Sequence, residues 1–218
     1  TFSMSTTTND TLGLSASTTT ITTPSLGSFS LGTGTGSASY MYDEEVPTAY
    51  EQVSDGKDTM ANKIGDFMDN NSVLYTSPTL DLMGASVTAH VGYAPQADDS
   101  AVGDGGSVTY DATVGAGKEA GITISYEGLK LGFYGAEREN KTPFGTNDAI
   151  HDEFNGAWYV KYSMGPVSIG YSETYMDAGV TADDSSSVNS SVVERTAGGI
   201  FTGEQMSIAF NVNDNMSI

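Results

Sequence analysis

Leu129-Lys130-Leu131-Gly132-Phe133-Tyr134-Gly135-Ala136-Glu137-Arg138 places Leu129, Leu131 and Phe133 on one parity and Lys130, Gly132, Tyr134, Ala136 and Arg138 on the other. Successive side chains of an extended chain point to opposite faces, so this period of two specifies a strand with one apolar and one polar side. The pattern recurs with Phe154, Trp158, Val160 and Tyr162 against Asn155, Tyr159, Lys161 and Ser163. Val167, Ile169 and Tyr171 oppose Ser168, Gly170 and Ser172. Val87, Ala89, Val91 and Tyr93 oppose Ser86, Thr88, His90 and Gly92. Shorter runs around Ile122 and Ile124, and around Met206, Ile208 and Phe210, repeat it. Strands are expected near 1–8, 11–22, 28–34, 72–80, 85–93, 119–126, 129–138, 154–163, 167–176 and 203–210, with another starting at Asn215.

The links between these strands carry a second signal. Pro24 to Gly27, Asp81 to Gly84, Glu127-Gly128, Met164 to Pro166 and Asn211 to Asp214 read as tight turns. Between them lie long polar connections at 35–71, 94–118, 139–153 and 177–202. Short and long links therefore alternate, as they do in a membrane barrel with short turns on one rim and long loops on the other. The strand lengths sit near the ~9–11 residues that a tilted strand needs to cross a bilayer. Several strands carry Tyr, Phe or Trp toward an end, where an interfacial girdle would lie. The expected fold is all-β, an antiparallel transmembrane β-barrel forming a single domain over 1–218.

Composition bounds the function. The 218 residues carry 28 acidic and 8 basic side chains, a formal charge of −20, which opposes binding to nucleic acid. Mean hydropathy is −0.23, and no run approaches the ~20 apolar residues of a membrane helix. A barrel wall tolerates that value, since alternate residues face water. Without cysteine, there is neither a disulfide framework nor a thiolate metal site. Twelve Tyr and eight Phe, placed in alternating segments, weigh against a disordered acidic chain.

Three segments carry a resemblance to the general bacterial porins, particularly those of the alphaproteobacterial kind. Pro24-Ser25-Leu26-Gly27-Ser28-Phe29-Ser30-Leu31-Gly32 resembles the family's turn and strand leading into its constriction loop. Asn71-Ser72-Val73-Leu74-Tyr75-Thr76-Ser77-Pro78 is similar to the strand leaving that loop, and Ile124 to Gly132 is similar to a later hairpin. Two family features are absent: Thr33 stands at the basic strand position, and the C-terminal strand ending in an aromatic residue is missing, the sequence stopping at Ile218 inside an expected strand. Eleven strands cannot close an even-numbered barrel, so an internal piece of a barrel of ~16 strands is expected, lacking the N- and C-terminal strands. The resemblance implies an outer-membrane, water-filled channel for ions and small polar solutes. It further implies contact with outer-membrane lipid and lipopolysaccharide, and a homotrimer.

The long connection 35–71 is the expected constriction loop, and the resemblance implies that it folds into the barrel with its carboxylates facing basic residues on the wall. Asp43, Glu44, Glu45, Glu51, Asp55 and Asp58 are its candidate constriction residues. Lys130, Arg138 and Lys161 are the candidate wall cations, and Tyr134 and Tyr159 share their parity. Confined carboxylates favour cations by Coulomb attraction, so cation preference is expected. Met60, Ile64, Phe67 and Met68 recur at helical spacing and predict a short helix within the loop.

Other patterns carry less. Gly32-Thr33-Gly34-Thr35-Gly36 lacks the amphipathic helix that a dinucleotide loop requires next. Loop acids such as Asp98, Asp99, Asp104, Asp183 and Asp184 read as solvated residues rather than a metal site. His90 and His151 have no paired Ser and Asp in the sequence, so neither catalysis nor a cofactor is expected. The rival readings are a non-channel, adhesin-like surface β-protein, which would show short regular repeats, and an enzyme carried on a barrel.

Overall fold

A computed structural model describes residues 1–8, 14–33, 38–43, 45–48, 72–95, 97, 114–140, 151–177, 179, 200–213 and 216–217. The chain is an antiparallel meander of β1 (Phe2–Thr8), β2 (Leu14–Thr23), β3 (Gly27–Thr33), β4 (Ser72–Thr76), β5 (Leu80–Leu82) and β6 (Ala85–Ala94). It continues through β7 (Val114–Tyr126), β8 (Leu129–Asn140), β9 (Glu153–Met164), β10 (Val167–Asp177), β11 (Ile200–Asn213) and β12 (Met216–Ser217). A 3-10 turn, Ala38–Met41, is the one helical element among the described residues. Each strand pairs with its neighbours in sequence, except that β4 and β5 lie end to end along β6. Proline lacks an N–H for the ladder, and the line breaks at Pro78, where Ser77 Oγ instead accepts from the Ala89 N–H at 2.9 Å. The sheet runs from β1 to β12 and is open.

The hairpins are tight for a stereochemical reason. Met83 and Gly84 have φ of 58° and 88°, and Glu127 and Gly128 have 44° and 85°. Two successive left-handed residues make the turn whose twist matches that of the flanking strands. Residues Leu82 and Ala85, and Tyr126 and Leu129, close these turns as strand pairs. The ladder outruns the alternation at two places. β7 begins at Val114, and its first residues Gly115, Ala116 and Gly117 offer no apolar parity to read; pairing with β8 is irregular between Val114 and Gly117. β11 continues to Asn213 and pairs with β12, taking up most of the expected turn at Asn211 to Asp214. The expected helix with Met60, Ile64, Phe67 and Met68 lies outside the described residues.

Register aligns parity across the sheet. Ile124, Leu131, Val160, Tyr171 and Met206 form one transverse row, and Thr123, Gly132, Tyr159, Ser172 and Gln205 form the adjacent row on the opposite face. The two faces have inverted burial. Met206 is 78% exposed and Ile208 69%, whereas Asn155 is fully buried and Ser172 is 2% exposed. Val91, Phe133, Phe154, Ile169 and Phe210 extend the bare apolar face along its length.

Gly128→Ala is expected to destabilise the sheet by ~1–3 kcal/mol, because its φ is left-handed and a Cβ would crowd the Ser163 carbonyl oxygen at 2.5 Å. Urea unfolding followed by circular dichroism measures this, and an unchanged midpoint would remove the turn from the fold's requirements.

Candidate functional site

The polar face owes its burial partly to the chain that leaves β3. Residues 38–43 and 45–48 form a crossing segment over it, and their contacts run strand by strand. The Ala38 N–H donates to Glu119 Oε1 on β7 at 2.8 Å, and the Tyr134 hydroxyl of β8 donates to Glu119 Oε2 at 2.8 Å. The 3-10 turn closes when the Tyr42 and Asp43 N–H groups donate to the Ser39 carbonyl at 2.8 and 2.9 Å. That turn aims the Tyr42 ring down onto the sheet. Its centroid lies 5.2 Å from Tyr134 in a stacked arrangement, and it meets His90 edge-on at 6.0 Å and Tyr159 at 6.3 Å. Further along, Glu45 Oε2 pairs with Lys130 Nζ at 3.6 Å and with Lys161 Nζ at closer range. The Ser207 hydroxyl of β11 then donates to the Pro47 carbonyl. From β7 to β11 this path covers four inter-strand spacings, roughly 19 Å at ~4.8 Å each.

Glycine makes the seat. A Cβ at Gly121 would overlap the Tyr42 phenol, and one at Gly170 would overlap the Pro47 ring. At Gly92 it would meet the Glu119 carboxylate, and at Gly132 the Tyr159 ring. Four bare backbone positions on the polar parity thus form a floor on which two tyrosines, a glutamate and a proline can lie flat. The sheet needs no glycine there for its own hydrogen bonding; the space is taken by the side chains that cross it.

Electrostatics differ along the path. Glu119 is 4% exposed, and its carboxylate accepts the two hydrogen bonds just described. Arg138 and Glu153 are each 3% exposed and form a buried pair, with Arg138 Nε donating to Glu153 Oε2 at 2.7 Å and Nη2 joining it. Burial pushes the Tyr42 phenol up to about 12, the Thr123 hydroxyl pulls it back, and Tyr159 and Glu119 add to the rise. Lys130 and Lys161 face each other directly across β8 and β9, with Nζ atoms 5.4 and 5.5 Å from the Tyr159 ring centre. Beyond the segment, hydroxyls line the same face: Thr20 meets Ser30 at 3.0 Å, and Thr22 meets Ser28 at 3.1 Å.

Of the expected acids, Glu45 touches both Lys130 and Lys161, and Asp43 lies in the same segment. Glu44, Glu51, Asp55 and Asp58 lie outside the described residues, as do Asp98, Asp99, Asp104, Asp183 and Asp184. Arg138 shares the face of the two lysines but is held by Glu153. His90 lies under the Tyr42 edge, with Nδ1 3.2 Å from Thr76 Oγ1. Exposed His151 lies 3.5 Å from Asp177, far along the chain from His90. The described residues hold no cluster of three or more His, Asp or Glu placed to bind a metal. Sequence reasoning did not single out Tyr42, Glu119 or Glu153. The available signal was glycine recurring on the polar parity at Gly92, Gly132 and Gly170.

Charged residues interrupt the bare face: toward the long connections, Lys118 and Glu137 are cross-strand partners on the apolar parity and pair at 3.1 Å. Glu173 and Glu204 are cross-strand partners, and Glu173 accepts from the Trp158 indole N–H at 2.9 Å and the Tyr171 hydroxyl at 2.5 Å. No family model and no curated protein matches the chain.

Unfolded Tyr42 ionises near pH 10 and folded Tyr42 near 12, so its contribution to stability is complete below about pH 10 and is lost as pH rises through about 12. Tyr42→Phe is therefore expected to flatten the fall of stability between these values. Urea midpoints of the two proteins at stepped alkaline pH measure the difference; parallel curves would show that Tyr42 is solvated.

Proposed function

We propose that this chain forms wall and constriction of a water-filled outer-membrane β-barrel, a porin through which ions and small polar solutes diffuse. The observation that carries the reading is the inverted polarity of the sheet: large apolar side chains on the bare face, polar ones on the face crossed by residues 38–43 and 45–48. In water, contiguous apolar patches beyond a few hundred Å² are rare on monomers, whereas lipid makes such a face the favourable one.

The aromatic residues support the same orientation. Tyr126, Tyr162 and Phe210 lie toward the short turns, and Tyr93, Phe154 and Tyr175 toward the long connections. Phe154 and Tyr162 are eight residues apart on one strand, about 26 Å at ~3.3 Å per residue and roughly 20 Å along the normal of a tilted wall. That approaches the ~25 Å apolar band of such barrels. Further strands, outside this chain, would complete a barrel of ~16.

Under this reading the mechanism is passive. The polar face provides a wetted surface, the crossing segment narrows the passage, and no covalent chemistry or cofactor takes part. The charge of −20 favours cations over the whole lumen and its mouth. Outer-membrane lipid and lipopolysaccharide would surround the wall. A homotrimer, implied by the same resemblance, offers a protein contact that would shelter Glu173 and Glu204 from lipid.

Trp158 is the one tryptophan in the chain and lies on the bare face, so it serves as an intrinsic probe. In liposomes its fluorescence is expected to be quenched by brominated acyl chains and spared by aqueous acrylamide. Planar bilayers holding the same protein should show ohmic channels with a cation-selective reversal potential. Acyl-chain protection without conductance would favour a surface β-protein that does not form a channel, and quenching by acrylamide alone would remove the membrane reading altogether.

A further inference from the structure

Lys130 and Lys161 present an unusual arrangement. They are directly opposed across β8 and β9, both on the polar parity, so two like charges occupy neighbouring positions of one ladder. Such a pair is destabilising unless an anion lies between its members. Glu45 provides that anion, and both ammonium groups converge on the same oxygen, Oε2. The Tyr159 ring lies beneath both, 5.4 and 5.5 Å from the nitrogens, where its negative face favours cations but supplies no full charge. The charges sum to +1 over the three side chains (two lysines, one glutamate). All three remain reachable from solvent, with side chains 39%, 25% and 22% exposed for Lys130, Lys161 and Glu45.

The other charged pairs on this face are built differently. Arg138 and Glu153 are sealed at 3% exposure, one cation to one anion. Glu119 is likewise buried, held by a backbone N–H and a tyrosine hydroxyl. The lysine pair combines surplus positive charge with solvent access, and its occupant is a carboxylate delivered on a loop segment rather than from the wall.

We propose that Lys130, Lys161 and Tyr159 form a binding site for small organic carboxylates, and that Glu45 is its resident internal ligand, displaced when a solute carboxylate takes its place. Two lysines offer point-like, freely rotating donors, which suit an incoming carboxylate without demanding one fixed geometry. A dicarboxylate matches best, because its two charges neutralise both ammonium groups once Glu45 has left. In an acidic passage that favours cations, this site gives selected anions a local foothold. The proposal rests on the reading of this face as solute-bearing, and its test does not depend on conduction.

The experiment is calorimetric titration of succinate into the detergent-folded protein, with Trp158 emission used to verify that each variant retains its fold. Glu45→Gln removes the tethered competitor and is expected to tighten succinate binding roughly tenfold, the scale set by the millimolar effective concentration of a tethered group. Lys130→Gln and Lys161→Gln, added together to that variant, are expected to abolish binding. Equal affinity in wild type and Glu45→Gln would overturn the role of Glu45 as internal ligand. Binding that survives loss of both lysines would overturn the site itself. Bilayer conductance recorded on the same preparations separates the two readings: channels without succinate binding reject this site alone, and binding without channels rejects the porin alone.

Discussion

One antiparallel sheet running from β1 to β12 divides this protein's residues between two environments. Its hydrogen bonds run in the plane of the sheet and leave side chains alternating above and below it, so one parity meets one medium along every strand. Because register is kept from β2 to β11 apart from one shift between Val114 and Gly117, parity on one strand extends to the next, and the rows through Ile124 and Thr123 stay on opposite faces. A sheet in water ordinarily buries its apolar parity. Here that parity is bare, and the polar parity receives the chain.

Stability on the polar side must therefore come from interactions other than apolar burial. Tyr42 stacked on Tyr134, the Glu119 carboxylate with its two donors and the Glu45 bridge hold the crossing segment on the wall, while the sealed Arg138–Glu153 pair ties β8 to β9. The Glu119 hydrogen bonds and the ion pairs satisfy polar groups that close packing would otherwise leave without water, and a buried ion pair broken on one side costs ~3–5 kcal/mol. A segment held at both ends by Glu119 and Ser207 stays close to the wall it crosses.

Much of the architecture is legible in the sequence, since a period of two is a local property. The strand cores, the short turns at Glu127-Gly128 and Met83-Gly84, and the shared face of Lys130, Tyr134, Tyr159 and Lys161 all follow from neighbouring residues. Strand ends at Gly115 to Gly117 are not legible, because residues without bulk carry no parity. Pairings between loop and wall were hidden for another reason: Glu45 and Lys161 are 116 positions apart, and Ala38 and Glu119 are 81 apart. Alternation tells which way Lys161 points and nothing about which acid comes to meet it. Arg138 illustrates the same limit, since its parity was readable but its enclosure with Glu153 was not.

The glycine floor also bears on how the molecule is assembled. A slip of one residue in β7 would bring Ala120 or Ile122 beneath the Tyr42 ring in place of Gly121, and a slip in β8 would put Leu131 or Phe133 under Tyr159 in place of Gly132. Either error inverts a strand's faces and fills the space that the crossing segment requires. The crossing segment can then settle only on a correctly aligned wall. The crossing segment thus doubles as a proofreading key, cut to a lock that exists in one register alone, so that covering the polar face and verifying the sheet become a single event.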